Sequence, residues 1–556
     1  MTFKKYILGL LMVAVITSCG VSKSLEDIPD ISTYSQTKPK RIATSDSTYY
    51  TQQAYLAANK YGQWELFAEG DPYQIGLQSG AVTQELFEEQ ERAFLGKVGE
   101  IVPSKFKQYL LRKVLAWYNR KMYLHVPEEY KAEIYGLSRY AGDDYDYVAD
   151  DYLRMLYLHS AHDIGHALQD LALVGCSSFA AWGDKTEDGS LIIGRNLDFY
   201  AGDEFAKNKI IAFIKPTNGY QFMSVAWPGM IGVVSGMNEK GLTVTINAGK
   251  SDVPLSAKTP ISILTREILQ YASNINEAIE IAKKRQVFVS ESILVGSASD
   301  NRAITIEVSP ENFGVYQVEN SNQLICSNHF QSDAYANDEN NIKQIAESHS
   351  QYRYERMEEL LNETQKLTPQ AAVDILRNRK GLNDKTIGYG NEKALNQLLA
   401  HHGIVFKPSQ QQVWVSASPY QLGAFVAYDL NTVFQEAPKN KSGMSLHNES
   451  LSIEADPFLY TDAYKNYERN RVLSREISKA ISNKEHVTPE TLKAFQQTNP
   501  DYWEVYYIVG KYHYEQKYYR AALNAFELAK TKEITTVPDS EEIDLYIKKI
   551  KRRLNE

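Results

Sequence analysis

The sequence predicts an α+β protein, and three observations predict it. Apolar residues recur at helical spacing through much of the first third, for example across residues 81–98 and 103–118. The pattern then switches to short alternating strands broken by turn residues, and a helical tail comes last. A chain of 556 residues with 43% hydrophobic and 23% charged residues has room for more than one domain and can bury a large core.

Taken in order, the chain opens with Lys4 and Lys5 before an apolar run at residues 7–16. That run is too short to span a bilayer comfortably and carries signal-peptide flanks. Ile16-Thr17-Ser18-Cys19 resembles a bacterial lipobox. The resemblance implies a signal peptide at residues 1–18, lipidation of Cys19, and a protein anchored by lipid to the cell envelope, with Gly20 permitting outer-membrane sorting. An uncleaved N-terminal anchor is the rival. Residues 19–50, rich in Ser, Thr, Pro and Lys, read as a tether. Residues 51–175 read as mostly helical; the family resemblance described below implies that they form an N-terminal subunit shielding Gly175.

Gly175-Cys176-Ser177-Ser178-Phe179, running into Gly194-Arg195-Asn196-Leu197-Asp198, carries the chemistry. A thiol is a nucleophile only as thiolate, so something nearby must take its proton or lower its pKa. A break between Gly175 and Cys176 would free an α-amino group, of ordinary pKa about 8, within reach of its own sulfur. One residue then supplies nucleophile and base. Gly175 suits the scissile position because no side chain shields its carbonyl and it tolerates strained backbone angles. These features favour an N-to-S acyl shift, then hydrolysis. Strands at 178–182 and 191–196, around the turn Glu187-Asp188-Gly189, read as a hairpin. On it Asp198 would orient the α-ammonium and Arg195 would favour the thiolate. The alternative is a structural hairpin with an ordinary Arg-Asp pair and an inert buried cysteine.

Four further motifs keep a consistent order: Gly70-Asp71-Pro72-Tyr73-Gln74-Ile75-Gly76-Leu77-Gln78-Ser79-Gly80, then Ser327-Asn328-His329-Phe330, a helix at 350–361 bearing Arg353 and Arg356, and closing strands at Val413-Trp414-Val415 and Tyr428-Asp429-Leu430. With the cysteine hairpin, these resemble the N-terminal nucleophile hydrolases related to acyl-coenzyme A:6-aminopenicillanic acid acyltransferase. Choloylglycine hydrolases and acid ceramidases are more distant relatives. The resemblance spans roughly residues 66–430 and implies a four-layer αββα sandwich in which the mature cysteine begins a central strand. It further implies Cys176 as nucleophile, Arg195 and Asp198 as its partners, and Asn247 and Asn328 as oxyanion donors. Such a donor is worth about 3 kcal/mol in related chemistry. The other reading of each Asn is a buried amide bonded to strand backbone. Arg356 is placed in the site, although Arg353 lies three residues away and can share its helical face. Cys326 lies two residues before Asn328 and shares its strand face. In an oxidising compartment it could pair with Cys176, the alternative being a buried free thiol.

Strands near 210–214, 221–226, 231–237 and 242–247 form an antiparallel meander, with helices next at 260–271 and 275–284 and further strands from 291 to 326. The catalytic core is thus expected over residues 176–434. Residues 435–443 read as a linker. The tail, residues 435–556, holds a pattern at 502–530 that resembles one tetratricopeptide helix pair, with a capping helix at 541–554. A single repeat rarely buries enough surface alone, so it should dock on the body or on helices at 464–497. Partner binding is the secondary role considered for it.

The net charge of −9 argues against a nucleic-acid partner. No Walker loop or dinucleotide glycine fingerprint appears, so no cofactor is expected. His159, His162 and His166 lie along one helical face but lack both the H-E-x-x-H motif and a carboxylate third ligand, so they are assigned to packing or to the interface presenting the scissile bond. His329, His401 and His402 lie near the motifs without a role. Some of the 38 tyrosines could line an amphipathic cleft. The expected activity is an autoprocessed cysteine amidohydrolase acting on small-molecule, linear, non-peptide amides through a thioester at Cys176. Alternatives are an acyltransferase that resolves the same thioester with an amine, and a non-catalytic surface lipoprotein serving as a binding module. The resemblance offers lipid amides, bile-acid conjugates and penicillin-like amides without choosing among them.

Overall fold

The computed structural model describes residues 21–160, 163, 174–199, 202–251, 256–399, 401–440 and 443–554. The expected signal peptide, Cys19, His162 and His166 lie outside the described residues. Among the described residues no helix is long and apolar enough to cross a membrane.

Two sheets make the core. The larger runs β1 (Ile42–Ser45), β2 (Thr48–Tyr50), β3 (Ala54–Ala58), β4 (Trp64–Gly70), β7 (Ile210–Pro216), β8 (Phe222–Ala226), β9 (Ser235–Asn238), β10 (Leu242–Ala248), β11 (Glu291–Ser297), β12 (Arg302–Val308) and β13 (Phe313–Tyr316), in that spatial order. The smaller runs β14 (Gln323–Cys326), β5 (Val174–Ala181), β6 (Ile192–Phe199), β15 (His402–Lys407), β16 (Gln412–Ser416), β17 (Phe425–Asp429) and β18 (Asn448–Ile453).

Alternation along each strand decides the layering. On β7, Ile211 and Phe213 pack in one cluster with Ile193, Val413 and Val426 of the smaller sheet. The outer layer beyond the larger sheet comprises α1 (Pro72–Ile101), α2 (Glu128–Ser138), α3 (Ile261–Tyr271) and α4 (Ile275–Lys283). Ile210, Ala212 and Ile214 turn towards that layer, into a cluster with Ile75 and Val82 of α1 and Leu264 and Ile268 of α3. On the far face of the smaller sheet, Phe179, Ile192, Val405 and Trp414 pack against Met357, Leu361, Val373 and Leu376 of α5 (Ser350–Glu363) and α6 (Pro369–Leu376). Helices, sheet, sheet and helices form the four layers of an αββα sandwich.

Two boundaries move from their sequence-based positions. Part of the expected tether is structured: Ile42 pairs with Tyr50 in an edge hairpin, because β-branched and aromatic residues flank the Asp46-Ser47 turn. At the other end, β18 adds to β17 through Phe425 and Ile453, so the sheet runs past residue 434. The N-terminal segment is also less purely helical than expected. Its β4 lies parallel to β7 from Trp64–Ile210 to Gly70–Pro216, which ties residues before Gly175 into the same sheet as residues after it.

The tail forms α7 (Asp462–Asn483), α8 (Pro489–Thr498), α9 (Trp503–Glu515), α10 (Tyr519–Ala529) and α11 (Val537–Leu554). They share a core around Trp503, Tyr506, Val509, Ala522 and Phe526. Gly510 sits where a Cβ would come within 2.8 Å of the Phe526 ring, so α9 and α10 approach closely there.

Candidate active site

Cys176 lies near the start of β5, opposite Leu197 of β6, while Gly175 lies opposite Asp198. The parity of β6 sends Arg195 towards the larger sheet with Ile193 and Leu197, and Asp198 to the opposite face. Arg195 Nη2 lies 3.8 Å from Cys176 Sγ. The guanidinium is held in place by donation from Nη1 to Ser235 Oγ at 2.8 Å and from Nη2 to the Ile246 carbonyl. Burial pushes the Cys176 thiol up, while Arg195 and then Arg353 pull it down; the net displacement is upward. A thiol displaced in that direction is a poor nucleophile without a base.

The backbone N–H of Cys176, which would become the α-amine on cleavage, donates to Asn328 Oδ1 at 2.8 Å. Asn328 Nδ2 in turn donates to the Ala248 carbonyl at 2.9 Å. Asn328 thus orients the nitrogen of Cys176, and one of its two amide N–H groups is engaged by backbone. Asn247 is also engaged: Nδ2 donates to Cys326 O at 3.0 Å and Ser327 O at 3.3 Å, while Oδ1 accepts from Ser178 Oγ at 2.7 Å. Asn247 Nδ2 thus directs both of its N–H groups to strand-end carbonyls, whereas Asn328 Nδ2 donates one bond of the two it can make.

The arginine that meets Cys176 from the helical layer is Arg353, not Arg356. Arg353 donates from Nη1 to the Cys176 carbonyl and to Ser177 Oγ at 2.9 Å, and from Nη2 to Asn328 Oδ1. Arg356 instead pairs with Glu359 and Asp384. Three residues along α5 rotate the side chain away from β5 towards those carboxylates.

Asp198 is 2% exposed. Burial pushes its carboxyl up to about 7, against the lowering pull of Arg353, Gln421 and Arg195. Gln421 Nε2 reaches Oδ1 at 3.4 Å, and Oδ2 has no hydrogen-bond partner among the described residues. An ammonium at a new N-terminus would supply one. Behind Arg195, His402 Nε2 lies 2.9 Å from Ser235 Oγ, and His401 Nδ1 lies 2.9 Å from His402 Nδ1. His329 bonds Ser350, and His159 bonds the Met155 carbonyl and the Ile231 N–H, so both are packing residues here. Cys176 and Cys326 are both free thiols. Among the described residues no His/Cys/Asp/Glu group is arranged to hold a metal ion.

An aromatic cleft open to solvent adjoins this centre, its Trp227 lying edge-on to His401 at 5.4 Å. Phe94, Phe199, Phe205, Trp227 and Met230 line it. Phe199 comes one residue after Asp198, and Trp227 stacks on it at 6.0 Å and 9°. The cleft residues Phe199, Trp227 and Met230 pack on the cluster that contains Cys176 and Leu197. Sequence reasoning does not single out Ser235, Gln421 or Gln397, the last of which packs on Gly175. They come from distant segments, and no local spacing marks them.

Two stacked sheets between helical layers, with a cysteine near the start of an interior strand, give the αββα arrangement expected from the sequence. Residues 185–418 match the family model described as acyl-coenzyme A:6-aminopenicillanic acid acyl-transferase, so this part of the chain is similar to that family. The matched span contains Arg195, Asp198, Asn247, Asn328 and Arg353, and it begins nine residues after Cys176. An uncharacterized protein of Archaeoglobus fulgidus is 29% identical over 286 residues, covering 47% of this chain and 46% of that protein. The N-acylethanolamine-hydrolyzing acid amidase of Caenorhabditis elegans is 24% identical over 218 residues, covering 37% of this chain and 59% of the amidase. The chain spans about half the length of the curated relatives it matches. Among solved structures, a conjugated bile acid hydrolase from Clostridium perfringens is 14% identical with a TM-score of 0.31, covering 49% of this chain and 95% of that one.

Proposed function

We propose that this chain is a precursor that cleaves itself between Gly175 and Cys176 and then acts as a cysteine amidase on linear, non-peptide amides. The observation that carries the reading is the double hold on Cys176: Asn328 fixes its backbone nitrogen while Arg195 faces its sulfur. In self-cleavage the thiol attacks the Gly175 carbonyl, the amide nitrogen of Cys176 leaves as an amine, and water hydrolyses the resulting thioester. The freed amine takes the place of the missing base. In turnover it accepts the thiol proton, the thiolate attacks the substrate carbonyl, and the amine leaving group receives that proton. Arg195 stabilises the thiolate, and Asp198 pairs with the α-ammonium.

The aromatic cleft is assigned to the acyl chain, since its walls offer apolar surface and include Phe199, the neighbour of Asp198. Water resolves the acyl-thioester in the hydrolase; an amine would resolve it in an acyltransferase. Single-turnover trapping of the acyl-thioester, then competition between water and added amines, tests both steps. An acyl adduct on the fragment beginning at Cys176 is expected. Its absence across a library of acyl amides, in a protein that has cleaved itself, would refute the amidase reading. Lipid anchoring through Cys19 at the cell envelope belongs to the same proposal; metabolic labelling with a palmitate analogue, lost in Cys19→Ala, checks it.

A further inference from the structure

The tail helices do more than pack on the sandwich surface. They grip residues 387–399, and this loop reaches Gly175 from the other side. Asn499 and Tyr389 exchange two backbone–side-chain hydrogen bonds, at 3.1 and 2.7 Å. Asn391 Nδ2 donates to the Glu533 carbonyl at 2.8 Å, and Lys393 pairs with the Glu533 carboxylate at 2.7 Å. Thr535 Oγ1 donates to Glu392 at 2.9 Å and accepts from Trp503 Nε1 at 2.8 Å. Tyr467 of α7 donates to the carbonyl of Leu398, a non-glycine residue held at φ 53°. Gly388 has φ +85°, and a Cβ there would lie 2.5 Å from the Tyr502 backbone.

Within this loop Gln397 is 2% exposed and donates from Nε2 to the Glu392 carbonyl at 3.1 Å. Its amide lies against Gly175: a Cβ on Gly175 would come within 2.6 Å of Gln397 Nε2 and 3.1 Å of Oε1. A side chain at position 175 would therefore press on the Gln397 amide and displace it. A continuous set of contacts runs from Trp503 through Thr535, Glu392 and Gln397 to Gly175.

We propose that Gln397 is a positioning residue for the Gly175–Cys176 bond, and that the tail helices set self-cleavage by holding its loop. The proposal rests on the self-cleavage reading above. It gives the tail a task within the chain: the precursor becomes competent when the last helices have folded onto residues 387–399. Misplacing a reacting group by about 1 Å can cost on the order of a hundredfold in rate, so loss of this contact is expected to be visible in the cleavage rate.

The test tracks cleavage of the full chain with time after cell-free synthesis, by gel and intact mass, with Cys176→Ala as the uncleaved control. Gln397→Ala and Thr535→Val are expected to slow cleavage by about tenfold or more. Gly175→Ala, which pushes a methyl group into the Gln397 amide, is expected to slow it by about tenfold or more. The decisive arm is Gly175→Ala combined with Gln397→Ala, which removes the clash and is expected to cleave faster than Gly175→Ala alone. A double variant no faster than the single one would overturn the contact and leave general destabilisation as the cause. Parental rates in Gln397→Ala and Thr535→Val, with a parent that cleaves, would overturn the positioning claim alone. A parent that stays intact would overturn it together with the self-cleavage reading.

Discussion

Replacing Arg353 separates two arginines that lie on one helix. Arg353 is fully buried and donates to the Cys176 carbonyl, Ser177 Oγ and Asn328 Oδ1, the same oxygen that holds the Cys176 nitrogen. Two of these bonds bear directly on the placement of Cys176. A hydrogen bond to a charged group contributes about 1.5–3 kcal/mol. The bonds share partners and do not add, which sets the expected combined loss at about 3 kcal/mol. At 1.36 kcal/mol per tenfold, that corresponds to about a hundredfold slower formation of the fragment beginning at Cys176. Arg353→Met, which keeps much of the buried volume, is expected to show this loss in the intact-mass time course. Arg356→Met, whose partners are Glu359 and Asp384, is expected to cleave at close to the parental rate. Equal rates in the two variants would refute the assignment of Arg353 to the site.

Three other perturbations test the same geometry. Burial raises the Asp198 carboxyl in the folded chain from 3.8 to about 7, so the native state keeps a proton that the unfolded chain releases. Its contribution to stability is full below about pH 4 and is lost as pH rises through about 7; denaturant melts of Cys176→Ala with and without Asp198→Asn should differ by that slope, and identical pH profiles would contradict it. Thiol titration of the denatured, unreduced protein should find Cys176 and Cys326 both reactive, whereas a missing pair would mean a disulfide. Trp227→Ala opens the wall of the aromatic cleft, so kcat/KM should fall more for long-chain than for short-chain acyl amides, and a uniform fall would argue against an acyl role for the cleft.

Much of the fold is legible in the sequence because its signals are local. The period-two pattern around residues 242–247 sends Val244 and Ile246 to one face, and the helices at 261–271 and 275–283 carry their apolar residues at helical spacing. The edge hairpin at residues 42–50 escapes a sequence reading because three- and four-residue strands in a polar stretch leave almost no periodicity. In the site, Cys176, Arg195 and Asp198 are readable because one hairpin brings them together. The choice between Arg353 and Arg356 is not, since helical spacing allows either to face inward until the helix is docked on β5. Asn247 reads as an oxyanion donor from its place at a strand end, but that same place gives it backbone carbonyls to satisfy. Gln397 is invisible because its importance lies in a contact with Gly175 across more than two hundred residues, and nothing near it in the chain records that contact.

The most direct test of the central claim is intact mass and N-terminal sequencing of the purified protein beside its Cys176→Ala variant. A fragment beginning Cys-Ser-Ser-Phe-Ala is predicted in the parent, still associated with the N-terminal segment through the β4–β7 pairing, and a single uncleaved chain in the variant. One intact chain in both would contradict self-processing, because Cys176 would then lack the amine that the mechanism requires.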